Sequence, residues 1–196
     1  HLAESYLKTE KKQQALIAFK KASEMEFDAK IQEDAYLNYA KLSYEIGNPY
    51  QSVPEIMNAY LAKYPNTSYK QEINTLLISS YITSKNYKEA LVLLEKSKSP
   101  ENKLAYQKVT FYRGLELYTD GDFKGAYSLF KKSIAENKDA KFSARATFWK
   151  GETEYNLDQF EEAKLSFLQF LNSAEASTTP EFKNAISNFP VFHSFL

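Results

Sequence analysis

The sequence predicts an all-α fold assembled from helix-turn-helix units stacked in series, and three columns of residues carry that prediction. Tyr6, Tyr44, Tyr81, Tyr118 and Tyr155 recur every 37 or 38 residues. Eight or nine residues after each Tyr stands a small side chain, at Ala15, Val53, Ala90, Ala126 and Ala163. Four further on comes a large apolar one, at Phe19, Met57, Leu94, Phe130 and Phe167. Identical columns at a fixed period mark repeated supersecondary units that bury their apolar faces against one another, not a globule with one centre.

The units follow in order. The chain opens at His1, five residues before the first Tyr, whereas complete units carry about eleven residues before it. The first helix therefore reads as cut in half, and the chain as a fragment or a processed piece. Ala15, Phe19 and Ala22 mark the helix that follows. In the second unit the first helix carries Leu37, Ala40 and Tyr44, and the second Tyr50, Val53, Met57 and Tyr60. The third repeats this with Asn74, Leu77 and Tyr81, then Tyr87, Ala90 and Leu94. Tyr-to-small spacing predicts turns one residue longer in units two and three. The fourth unit predicts a helix over 101–120 with Phe111, Gly114 and Tyr118 on one face, a turn at Asp120-Gly121-Asp122, and a helix over 123–136. Apolar positions recur at three and four, a helical period. Short turns make the two helices antiparallel neighbours. In the fifth unit residues 148–155 match 111–118, and Phe160, Ala163, Phe167 and Phe170 mark the second helix.

Small residues recur because close helix crossings need Gly or Ala where backbones meet, with a bulky side chain filling the hole beside it. Gly114 and Gly151 cost helix propensity, about 0.5–1 kcal/mol each relative to Ala, so packing must compensate there. Beyond 175 the pattern changes. Thr179 reads as an N-cap with Pro180 at the first helical position. Residues 182–188 open a partial sixth unit or a capping helix, Pro190 breaks it, and Val191, Phe192, Phe195 and Leu196 form an apolar tail. That tail either packs back on the last unit or docks on a neighbouring copy.

Composition bounds the function. Lys plus Arg and Asp plus Glu number 25 each, so the net charge is zero. That removes the electrostatic reason to expect nucleic acid or an anionic membrane as partner. The basic run of Lys11, Lys12, Lys20 and Lys21 is interrupted by core positions and reads as a solvated helix face. No stretch approaches 18 apolar residues, so the sequence predicts no membrane insertion. The absence of Cys excludes disulfides and thiolate chemistry and leaves the compartment open.

Gly114, Tyr118, Gly121, Asp122, Phe123, Ala126 and Phe130, followed by Gly151, Tyr155, Phe160, Ala163 and Phe167 and preceded by Ala15, Phe19 and Ala22, resemble the tetratricopeptide repeat. The resemblance covers residues 1 to about 173. It departs from the family in a period above the usual 34, in a closing Pro that keeps register only at Pro65, and in Ile78 where Gly is expected. It implies a right-handed αα superhelix of about five repeats, near 1–27, 28–66, 67–100, 101–137 and 138–175. In that family the first helices line a concave groove, and members are mostly adaptors that hold a partner segment there. Carried onto this chain, the groove positions are Asn38, Lys41, Tyr112, Arg113, Arg145, Trp149, Glu152 and Asn156. The phrase at 60–68, from Tyr60 to Ser68, is similar to one in bacterial envelope tetratricopeptide proteins, among them division-coordination and barrel-assembly members. It favours a periplasmic or cell-envelope location over the cytoplasm.

Chemistry is hard to place on this sequence. His1 and His193 are its two histidines, so no nucleophile–His–carboxylate set can be drawn. There is no HExxH and no glycine-rich phosphate loop. Asp120-Gly121-Asp122 lacks the further oxygen ligands of a calcium loop, and Glu161 and Glu162 start a helix, where carboxylates suit the dipole. Asn66-Thr67-Ser68 fits a glycosylation sequon by chance. The expectation is a non-catalytic scaffold without cofactor or metal, binding a protein or peptide through aromatic and Arg anchors. The alternatives are a solenoid that self-associates or dimerises through its open ends and a nutrient-binding envelope lipoprotein. The last ranks lowest, because the long pocket-building loops such proteins insert are missing here.

Overall fold

The computed structural model describes residues 1–26, 28–97 and 99–188, and every regular element among them is a helix. The chain divides into two compact units, His1–Asn86 and Tyr87–Leu196. The third predicted hairpin is thereby shared, one helix to each unit.

The first unit holds α1 (Leu2–Lys8), α2 (Lys12–Ser23), α3 (Ala29–Ile46), α4 (Val53–Lys63) and α5 (Lys70–Thr83). Each helix packs on the next, and α5 also reaches α3. Local sequence sets the helix starts. The Asp28 side chain accepts from the amides of Lys30 and Ile31 to cap α3. Ser52 and Glu55 form a reciprocal capping box at α4, with Pro54 in its first turn. Ala15, Phe19, Ala40, Met57 and Leu77 all lie in the buried seam, as their columns require. Tyr60 is wholly buried. Its hydroxyl donates to Glu33 at 3.2 Å and meets the Thr67 hydroxyl at 2.9 Å. The envelope-like phrase thus has a structural task, closing the end of α4 on α3.

The second unit holds α6 (Tyr87–Ser97), a 3₁₀ turn at Pro100–Asn102, α7 (Lys103–Thr119), α8 (Phe123–Glu136), α9 (Ala140–Asn156) and α10 (Phe160–Leu171). A second 3₁₀ turn at Ala176–Thr178 leads to α11 (Glu181–Asn188). Successive helices from α6 to α10 pack in order, and α7 also packs on α9. The glycine inference holds at both joints. A Cβ on Gly114 would lie 2.8 Å from the Phe130 ring, and one on Gly151 2.9 Å from the Phe167 ring.

Details differ from the sequence expectation. The Tyr column is not a core column: Tyr44 is 39% exposed and Tyr155 53%, while Ala15, Ala90 and Ala126 have no exposed surface. Each Tyr stands at the end of a first helix, where Tyr118 and Tyr155 set their rings edge-on to Phe123 and Phe160, both at 5.3 Å. The extra residue of unit two lies in a longer connection across 47–52, whereas in unit three it extends α5 and leaves a three-residue turn. In the three-residue turns the middle residue is left-handed, with φ of 59°, 60°, 82° and 59° at Glu10, Lys85, Gly121 and Asp158. The following amide bonds back five residues, as from Asp122 to the Leu117 carbonyl at 2.8 Å. Asp122 also caps α8 by accepting from Gly125 at 2.9 Å. The helix expected from 101 begins at Lys103, behind the 3₁₀ turn. Thr179, expected as an N-cap, instead turns its hydroxyl to the Ala176 carbonyl at 2.7 Å. Pro190, Val191, Phe192, Phe195 and Leu196 lie outside the described residues. Among the described residues no helix is long and apolar enough to cross a membrane.

Candidate functional site

Helix α9 presents two faces with different chemistry. The Asp139 side chain starts it, accepting from Lys141 at 2.9 Å and Phe142 at 3.2 Å. Ala144, Phe148 and Gly151 are buried, with Phe148 and Gly151 set against α10. Arg145, Trp149, Glu152 and Asn156 follow at spacings of four, three and four, which draws them into one stripe.

The upper half of that stripe converges on one carboxylate. Arg145 Nε donates to Glu181 Oε1 at 2.9 Å and to Oε2 at 3.1 Å, and Trp149 Nε1 donates to Oε1 at 3.0 Å. The Glu181 side chain is 5% exposed and that of Arg145 18%. The guanidinium also lies 4.5 Å over the Phe111 ring and 5.6 Å from that of Phe142. The lower half centres on Tyr118. Its hydroxyl accepts from Asn156 at 3.0 Å and donates to Glu152. Burial pushes the Glu152 carboxyl above its ordinary value, and the Tyr118 hydrogen bond partly offsets this. Burial raises the Tyr118 phenol too, helped by the nearby Glu152 charge. Tyr118 and Trp149 rings meet edge-on at 5.1 Å, so the two halves are continuous.

The other four predicted positions are engaged differently. Tyr112 stacks on Tyr87 at 5.0 Å and meets Phe111 and Phe142 edge-on, which makes it a packing residue of the α7 seam. Arg113 pairs with Glu116 one turn along its own helix at 2.8 Å. In the first unit, Asn38 donates to the Asp34 carbonyl at 2.8 Å, and Lys41 pairs with Glu72 of α5. Sequence reasoning missed Glu181, Gln107 and the polar role of Tyr118. Glu181 is the residue after an expected helix start, and nothing in its local sequence announces a partner 36 residues back.

An open cavity of about 610 Å³ lies where α6, α7 and α8 approach one another, bordered by Tyr106, Lys103 and the Glu95–Lys132 ion pair of 2.8 Å. The Glu95 hydrogen bond raises the Lys132 pKa and so favours its charged form. Among the described residues no group of three or more His, Asp or Glu is placed to hold a metal.

Solved structures share this fold. MamA of strain AMB-1 matches with a TM-score of 0.52 at 22% identity, over 91% of this chain and 93% of that one. A mutant MamA matches at 0.52 and 22%, over 92% of each chain. A further MamA structure matches at 0.51 and 17%, over 91% of this chain and 97% of that one. The likeness is one of fold: helices packed antiparallel in series. No protein-family model matches the sequence, and no curated protein matches it.

Proposed function

We propose that this chain is a non-catalytic interaction scaffold that holds a segment of a partner protein along the α7–α9 face. The observation that carries this reading is the stripe of Arg145, Trp149, Glu152 and Asn156 with Tyr118 beside it. It combines a cation, two aromatics, a carboxylate and amide donors on one surface, the mixture that anchors protein interfaces. A micromolar complex needs only about 8 kcal/mol, within reach of a few such anchors. The fold likeness to other helical-repeat proteins is consistent with this role. A cell-envelope setting remains part of the proposal, resting on the phrase at 60–68.

The test uses Asn156, which is exposed and can be changed without opening the core. A partner captured by the immobilised chain is purified and titrated against wild type and Asn156→Arg. Loss of affinity with an unchanged thermal melt supports the reading, and equal affinity moves the interface elsewhere. Self-association is a second reading, favoured by Leu2 standing 65% exposed on α1. Sedimentation of wild type against Leu2→Glu decides it.

A further inference from the structure

We infer that Lys150, Glu154 and Ser166 form a pairing code, a buried polar triad that α10 alone completes and that keeps α9 from pairing with the second helix of another hairpin. The code keeps near-identical repeats in order and requires no partner chain.

The triad closes on itself. Lys150 Nζ donates to Glu154 Oε1 at 2.6 Å and to the Ser166 hydroxyl oxygen at 2.7 Å. The Ser166 hydroxyl in turn donates to Glu154 Oε2. Both carboxylate oxygens are therefore filled, one from α9 itself and one from α10. Glu154 and Ser166 are each 2% exposed. The Lys150 ammonium also lies 5.8 Å from the ring of Tyr127 on α8, so the charge is set among three helices.

The repeat does not require such a group. The residues just before the column Tyr are Ser5, Ser43, Ser80, Leu117 and Glu154. Those just before the large apolar column are Ala18, Ile56, Leu93, Leu129 and Ser166. Glu154 is the one carboxylate of its column, and Ser166 the one hydroxyl of its own. Against any other second helix, Glu154 would keep Lys150 and lose the hydroxyl that fills its second oxygen. A buried charged acceptor left short of a donor is penalised.

The rest of the seam does not discriminate between the last two hairpins. Residues 148–155 match 111–118. A Cβ on Gly114 would lie 2.8 Å from the Phe130 ring and one on Gly151 2.9 Å from the Phe167 ring, the same joint twice. Apolar burial is non-directional, so α7 and α10 suit each other on those grounds as well as the native pairs do. A buried ion pair seldom adds net stability over apolar side chains of similar volume, but it does exclude wrong partners. Order has a consequence for the candidate face. Tyr118 of α7 meets Asn156 of α9 at 3.0 Å, and a skipped hairpin would part them.

The test is refolding of the full chain. Lys150→Met, Glu154→Leu and Ser166→Leu together give the α9–α10 seam the apolar character of Leu117 and Leu129. Tagged and untagged chains are refolded together from urea, diluted, and captured by the tag. Chains joined by exchanged helices survive dilution, and loose association does not. In-register exchange keeps the triad, so wild type sets the background. The triple variant should hold its Tm and co-capture at least about tenfold more untagged chain, as the loss of one charged-group hydrogen bond as a discriminator implies. Co-capture at the wild-type level overturns the code, whatever the Tm does. Phe167→Leu loosens the same seam and leaves the triad intact, and equal co-capture from it also overturns the code. If the triple variant overpacks the seam and does not fold, Lys150→Met with Glu154→Gln keeps the volume, removes both charges and is read against the same controls.

Discussion

Gln107 holds Asp139 from both sides: its amide oxygen accepts from the Asp139 amide at 2.8 Å, and its amide nitrogen donates to the Asp139 carbonyl at 3.0 Å. The same side chain accepts from Lys138 at 3.0 Å and donates to Ser143 at 3.0 Å, and it has no exposed surface. Every hydrogen-bonding position of the carboxamide is filled. Gln107→Leu leaves two backbone amides and a carbonyl without that partner. A fully buried orphan costs about 1–3 kcal/mol; these sites are part-buried, so water takes up some of the freed bonds, and a net loss of roughly 2–4 kcal/mol is expected in urea unfolding. A loss below about 0.5 kcal/mol would mean that water replaces the latch.

The glycine joints predict a sign that helix propensity alone gets wrong. Ala is worth about 0.5–1 kcal/mol more than Gly inside a helix. At Gly114, however, a Cβ would meet the Phe130 ring at 2.8 Å, and Phe130 is fully buried, so its ring can yield only by displacing packed neighbours. Gly114→Ala should therefore destabilise by about 1–3 kcal/mol. Phe130→Leu in the same chain should recover part of that loss, giving a favourable coupling in a double-mutant cycle.

The core was legible in the sequence because packing imposes a period. Ala126, Phe130, Ala163 and Phe167 are buried where their columns put them. The stripe was half legible for the same reason: Arg145, Trp149, Glu152 and Asn156 share a helical face by spacing alone. What occupies the stripe was not legible. The contact from Arg145 to Glu181 joins residues 36 apart through tertiary placement, and no local propensity encodes it. Tyr118 was read as a packing residue from its column, yet its hydroxyl is the polar centre between Glu152 and Asn156. Periodicity records where a side chain sits and is silent about what its polar tip meets.

Hairpin turns hold removable strain. Lys85 sits at φ 60° in a left-handed conformation that costs a β-carbon-bearing residue about 1–2 kcal/mol. Its side chain is exposed, so substitution removes little packing. Lys85→Gly should raise stability by about 0.5–1 kcal/mol, the relief exceeding the added freedom of the unfolded chain. Gly121→Ala is the mirror experiment. Its φ is 82° and no atom lies within 4 Å of the new methyl, so its cost should be backbone strain alone. Thermal melts of the two variants moving in the same direction would contradict this account.

Alkaline stability should report on Tyr60. Burial raises its phenol to about 12, the Thr67 hydrogen bond opposing and the Glu33 charge adding to the effect. A raised folded-state value means that the folded chain binds more protons than the unfolded one between about pH 10 and 12. The associated stability is complete below pH 10 and is lost as pH rises through 12. Two pK units correspond to about 3 kcal/mol. Tyr60→Phe should lower stability at pH 7 by removing the bonds to Glu33 and Thr67, and should flatten the fall from pH 10 to 12. A wild-type profile flat across that range would exclude the linkage.

Glu152 supplies the acid-side counterpart, with direct consequences for the stripe. Burial raises its carboxyl above the ordinary value near 4.5, and the Tyr118 hydrogen bond opposes the rise. The folded chain therefore holds the Glu152 proton more tightly than the unfolded chain. Its contribution is most favourable below the ordinary value and declines as pH rises through the folded one. At neutral pH the ionised carboxylate is a net cost, retained on a surface that ordinary packing would fill with a neutral group. Glu152→Gln keeps an acceptor for Tyr118 and removes the charge. Its Tm should exceed that of wild type at pH 7, and the gap should narrow at pH 4, where the wild-type carboxyl is more nearly neutral. Tyr118→Phe should act in the opposite sense, lowering the pH 7 Tm by stripping the carboxylate of its donor. If partner affinity falls with Glu152→Gln while stability rises, the charge is kept for binding, and a basic group on the partner is what it meets.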